Sequence, residues 1–141
     1  MNNWTPEELA FRCDRLSVRL ERLATNFLQI AILSDALDNQ DQTLSIVRQS
    51  KSFLELTAVD LDFDNAFELA QIQRQLSHWH RRWGDIWQSD ADRQSIATAA
   101  NHWAQQVRTI VSVLVRVEAI PVLGGWPTVW DWGGAIVDVL G

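Results

Sequence analysis

The sequence predicts an all-α protein: an antiparallel up-down-up-down four-helix bundle followed by a short fifth helix or an ordered apolar tail. Three observations predict it. First, apolar residues recur at heptad spacing in separate stretches. Leu9, Leu16, Leu23, Ile30 and Leu37 form one, with Cys13, Leu20 and Phe27 between them. Leu69, Ile72, Leu76, Trp79, Trp83 and Ile86 form another. Ile96, Trp103, Ile110 and Val117 form the last, with Ala100, Val107 and Leu114 between them. Residues at i, i+3, i+4 and i+7 share one helix face, and burying such a face requires other helices. Second, polar breaks at 38–42 and 89–90 and an Asp-rich break at 60–65 separate the stretches. Third, 141 residues suit one domain with a sizeable core.

The first helix is expected to start at Thr5, with Pro6 in the first turn and Glu8 completing a capping box. Glu7 and Glu8 complement the positive end of its dipole. Its pattern runs unbroken to about Leu37, which is roughly 48 Å of helix at 1.5 Å per residue. Cys13 reads as a small buried residue on it.

The second helix is expected from Thr43 to Ala58. Leu44, Val47, Leu54 and Leu61 give one stripe and Ile46, Phe53 and Leu56 another, while Lys51 interrupts the first. A broad apolar face touching two neighbours reconciles them. The third helix is expected from Asn65 to Gln88 and the fourth from Ala91 to Ala119, ending before Pro121. Val111, Val113, Val115 and Val117 also alternate at strand period. No other segment offers a partner strand, so helix is the expectation. So apolar a helix belongs at the centre of the bundle or in a dimer interface.

Residues 1–120 thus read as the bundle domain. Residues 121–141 read as a Trp/Gly-rich apolar segment packed on the bundle or on a partner. This last stretch holds three Trp and five Gly, with Asp131 and Asp138 its only charges. Pro127 is a possible start for the short fifth helix.

The formal net charge of −6 argues against a general nucleic-acid binder, which needs a basic surface. The acid is uneven: residues 1–70 carry twelve Asp/Glu against six Lys/Arg, and residues 71–141 carry six of each. A single cysteine permits no intrachain disulfide and fits a reducing, cytoplasmic setting. The N-terminus lacks the basic and apolar regions of a secretory signal, and no apolar run is long enough for a membrane span.

Candidate chemistry is sparse. Asp60, Asp62 and Asp64 match the first three ligand positions of a calcium loop, but Asn65 and Gln71 stand where Gly and Glu are needed. Capping of the following helix by Asp62 or Asp64 is the simpler role. His78 and His80 lie about 200° apart on a helix and so cannot share one metal from that helix alone. Nucleophile elbows, phosphate-binding Gly loops and Glu-x-x-His di-metal motifs are missing from the sequence.

Arg74 and His80 enclose five residues. The pair resembles the short arginine-to-histidine signature of HEPN ribonucleases, which are helical-bundle dimers. That resemblance implies RNA cleavage at a dimer cleft by the two residues together. It covers seven residues of one helix. More loosely, a small helical bundle followed by a Gly-rich apolar segment resembles the N-terminal domains of some cell-death and pore-forming proteins, which implies a membrane-active effector. Trp at lipid interfaces agrees with that, while the lack of basic residues in 121–141 opposes binding to anionic lipid.

The sequence therefore points first to a non-enzymatic helical-bundle module for protein–protein interaction or oligomerisation. Its partner is another protein or a second copy, with a dimer expected, no nucleic acid, and a membrane surface possible through residues 121–141. Candidate interface residues are Trp79, Trp83, Trp87, Val111, Val115, Trp126, Trp130 and Trp132, because Trp is enriched at binding hot spots. Core packing is the competing role for the Trp79–Trp83–Trp87 row. The sequence assigns no catalytic residue, cofactor or metal.

Overall fold

In the computed structural model, which describes residues 5–118, the fold is all-helical, with no strand among the described residues. Helices α1 (Pro6–Cys13), α2 (Leu16–Leu33), α3 (Gln40–Ala58), α4 (Phe63–Arg81), α5 (Trp83–Trp87) and α6 (Asp90–Glu118) follow in order, with a 3-10 turn at Leu37–Asn39 before α3. The chain divides into two compact units, Met1–Val111 and Ser112–Gly141. The described part of the second is 112–118, the closing turns of α6, where Val113 and Val115 are exposed. The expected boundary at 120/121 and the expected fifth helix lie outside the described residues.

The capping box forms as expected. Glu8 N–H donates to Thr5 Oγ1 at 3.1 Å, and Thr5 N–H donates to the Glu8 carboxylate at 2.9 Å. The single first helix expected over 5–37 is instead two. Asp14 and Arg15 are both extended, with ψ of 156° and 155°. The break turns α1 onto α3, where Phe11 stacks flat on Phe53. The Arg22 guanidinium lies over both rings, 5.3 and 5.0 Å from their centroids. Leu9 and Cys13 are consequently exposed rather than buried, since the heptad phase does not survive the break.

The third expected helix is also interrupted. Arg82 leaves helical geometry at φ −116° and ψ 22°, separating α4 from α5. Two indoles then reach the connection between α2 and α3. Trp83 Nε1 donates to the Gln40 carbonyl at 3.1 Å, and Trp87 Nε1 donates to the Leu37 carbonyl at 2.8 Å. A buried indole needs such an acceptor. In α6 the helix continues through the valine run to Glu118, so helical phase carried on from Ile96 prevails over strand alternation.

Side-chain pairs tie the long helices together. Asn26 of α2 donates to Gln49 and Ser50 of α3, and Gln73 of α4 donates to Glu55 of α3. Trp103 of α6 packs edge-on to Phe27 of α2 at 5.6 Å and against Trp79 of α4 at 4.9 Å. Arg108 of α6 pairs with Glu21 of α2 at 2.9 Å. Leu20, Leu23, Phe27, Ile30, Val47, Leu76 and Val107 are fully buried. Each such side chain contributes roughly 1.5–3 kcal/mol by leaving water.

Two buried arginines close helix ends. Arg19 donates to the Leu56 carbonyl at 3.1 Å in the last turn of α3 and pairs with Asp60 at 2.8 Å. Arg93 donates to the Trp87 carbonyl at 2.6 Å and pairs with Asp90. Cations belong near helix C-termini, where carbonyls lack intrahelical donors.

Candidate functional site

The tryptophan row is interior. Trp79, Trp83 and Trp87 are buried, with Trp83 and Trp87 in tilted contact at 5.1 Å. Of the two roles considered for this row, it has the core one, and these three side chains offer no surface to a partner. Val111 is half-buried and Val115 exposed. Trp126, Trp130 and Trp132 lie outside the described residues.

The aspartate loop is spent on structure. Asp60 faces Arg19. Asp62 caps α4, accepting from the Asn65 side-chain amide at 2.8 Å and from the Asn65 backbone N–H at 3.3 Å. Those hydrogen bonds, the side-chain one first, hold the Asp62 carboxyl below its ordinary pKa.

Two surface features remain. The first is apolar. Phe63 is 81% exposed and Phe67 51%, and their rings lie 6.5 Å apart on the first two turns of α4. Val59, the residue that ends α3, is 70% exposed. At 100° per residue, Phe67 and Phe63 lie about 160° and 120° around α4 from Leu69, facing away from the buried stripe. Single exposed apolar residues are ordinary, but a stacked pair of phenylalanines in water is not.

The second feature is basic. His80 falls in line with Leu69 and Leu76 on α4 and so faces α3. Arg48 Nε donates to His80 Nε2 at 3.3 Å, and Lys51 Nζ lies 3.1 Å from His80 Nδ1. Burial first, then the charges of Lys51 and Arg48, push the His80 pKa below 6.5. Among the described residues no carboxylate pairs with Arg48 or Lys51. Beside Arg48 a cleft of about 300 Å³ is lined by Thr5, Glu7, Glu8, Gln49, Ser52 and Phe53.

Arg74 is exposed, and no described contact joins it to His80. Helical phase explains the separation, because six residues place the two side chains about 120° apart. Among the described residues no group of three His, Cys, Asp or Glu could hold a metal ion. No described helix is long and apolar enough to cross a membrane.

Sequence reasoning missed both features. The Phe63–Phe67 pair had a legible signal, two aromatic residues four apart and out of phase with the core stripe. The basic cluster had half of one: His80 is in phase with the core, but its partners are some thirty residues away on another helix. No protein family, no curated protein and no solved structure matches this chain.

Proposed function

We propose that this chain is a non-enzymatic helical module that docks protein, with a second copy of itself as the partner. The fold reading behind this is a bundle of α2, α3, α4 and α6 with antiparallel neighbours. The order of the paired positions supports that reading. Along α2 and α3, Arg19 meets Leu56 while Asn26 meets Gln49. Along α3 and α4, Arg48 meets His80 while Glu55 meets Gln73. Along α4 and α6, Trp79 meets Trp103 while Glu68 meets Gln106. In each case one number rises as the other falls.

The observation that carries the docking reading is the exposed Phe63–Phe67 pair, with exposed Val59 four residues before it in the chain. Burying these side chains against a partner removes apolar area worth about 25 cal/mol per Å². Three residues fall short of the ~800 Å² per partner of a standard interface. They form its apolar centre, with the exposed polar face of α4 as its rim.

Hydrogen–deuterium exchange at low and high protein concentration tests this. The expected result is protection that grows with concentration and is confined to the end of α3 and the first half of α4. Exchange independent of concentration there, with folded protein throughout, overturns the reading.

A further inference from the structure

We propose that the seam between α3 and α4 at Arg48, Lys51 and His80 is a binding site for a phosphate-type oxyanion. A neutral imidazole has one acceptor nitrogen and one donor. Arg48 Nε–H points at His80 Nε2, so Nε2 accepts and the ring proton sits on Nδ1. Nδ1 then faces the Lys51 ammonium at 3.1 Å, donor against donor. Moving the proton to Nε2 only transfers the conflict to Arg48, and protonating both nitrogens sets three cations side by side. No charge state of these groups alone satisfies all of them while the lysine stays an ammonium.

An oxyanion removes the conflict. Its oxygens accept from the Lys51 ammonium and from the ring N–H that faces it, and the exposed Arg48 guanidinium can turn to the same anion once the ring is an imidazolium; charge-assisted bonds of this kind are the strong ones. Access exists, since Arg48 is exposed and Lys51 and His80 are half-buried. The surrounding charge is mixed. Arg81 and Arg82 follow His80 along the chain and are exposed, with no carboxylate paired to either among the described residues. From α1, Glu7 and Glu8 line the cleft next to Arg48, and Glu8 already accepts from the Thr5 N–H. From α3, Glu55 accepts from Gln73. The net charge of −6 opposes an anion from a distance, but at about 0.15 M salt that field is screened beyond roughly 8 Å, so the local cations decide.

Proton linkage gives the site a signature. The free protein favours neutral His80, and a bound dianion favours the imidazolium. Binding therefore takes up a proton and tightens as pH falls, by up to about tenfold per pH unit between the free and bound pKa values of His80.

The test is a nuclear magnetic resonance titration of His80 in the full chain, with sodium sulfate, sodium phosphate or sodium chloride at matched ionic strength. Sulfate serves as the pH probe because it stays a dianion over this range. The expected result is a His80 pKa about one unit higher in sulfate or phosphate than in chloride. Calorimetry should show sulfate binding more tightly near pH 6 than near pH 8 and weakened at least fivefold or so in folded Lys51→Gln. Equal affinity for inorganic phosphate and O-phosphoserine assigns the site to free anions, and tighter O-phosphoserine binding assigns it to a phosphorylated chain. A His80 pKa that is the same in all three salts overturns the proposal, with no variant needed. Undiminished sulfate binding by folded Lys51→Gln does the same.

Discussion

The ring of Phe11 lies flat on that of Phe53, with centroids 3.8 Å apart and planes 4° apart. This contact joins α1 to α3 and accounts for the break at Asp14–Arg15. A continuous helix would carry Leu9 into the core; the broken one carries Phe11 there instead. Phe11→Ala should therefore cost about 3–5 kcal/mol. Leu9→Ala, on the exposed side, should stay within about 0.5 kcal/mol. Urea unfolding of both variants checks the contrast, and equal losses would overturn it.

Trp87 is fully buried, and its indole N–H is satisfied by the Leu37 carbonyl. Trp87→Phe keeps most of the ring but leaves that carbonyl without its donor. The expected loss is about 0.5–1.5 kcal/mol, the net worth of one hydrogen bond beside an exposed residue. Thermal unfolding measures it. A neutral result would mean that water replaces the indole at this end of the molecule.

Gly84 lies within α5, and a Cβ built on it would meet nothing within 4 Å. Gly84→Ala should therefore stabilise the protein by roughly 0.4–1 kcal/mol through the entropy of the unfolded chain. A raised midpoint of unfolding is the expected reading.

His80 couples stability to pH. Its folded pKa lies below the 6.5 of the unfolded chain, chiefly through burial and then through Lys51 and Arg48. Between the two values the unfolded chain binds more protons, so stability rises with pH. This contribution is fully present above pH 6.5 and is lost as pH falls through the folded value. In chloride buffer, His80→Gln should flatten the decline in midpoint temperature between about pH 7 and pH 5. An unchanged slope would place the titration elsewhere.

The all-helical class was legible because periodicity reports which face of a segment is buried. The cap at Thr5 and Glu8 was legible, and that of α4 was legible down to Asp62 or Asp64, because a capping bond spans only three residues. The breaks at Asp14 and Arg82 were not. Neither site has Gly or Pro at the break itself, and both are set by distant partners: Phe53 for Phe11, and Leu37 and Gln40 for the two indoles. Cys13 was misjudged for the same reason, since its burial depended on a helix that does not continue. Of the expected interface residues, the tryptophans at 79, 83 and 87 proved to be core because hot-spot chemistry and core chemistry use the same side chain. The exposed phenylalanines were readable from phase alone. The pairing of His80 with Arg48 and Lys51 depends on how α3 and α4 align, which no local pattern encodes.

The proposed dimer covers the exposed Phe63–Phe67 pair with a second copy. Sedimentation velocity over a concentration series decides it, with the full chain beside a folded Phe63→Ser/Phe67→Ser variant. The expected result is a dimer for the full chain and a monomer for the variant. A full chain that stays monomeric throughout, or a variant that dimerises equally well, would contradict it.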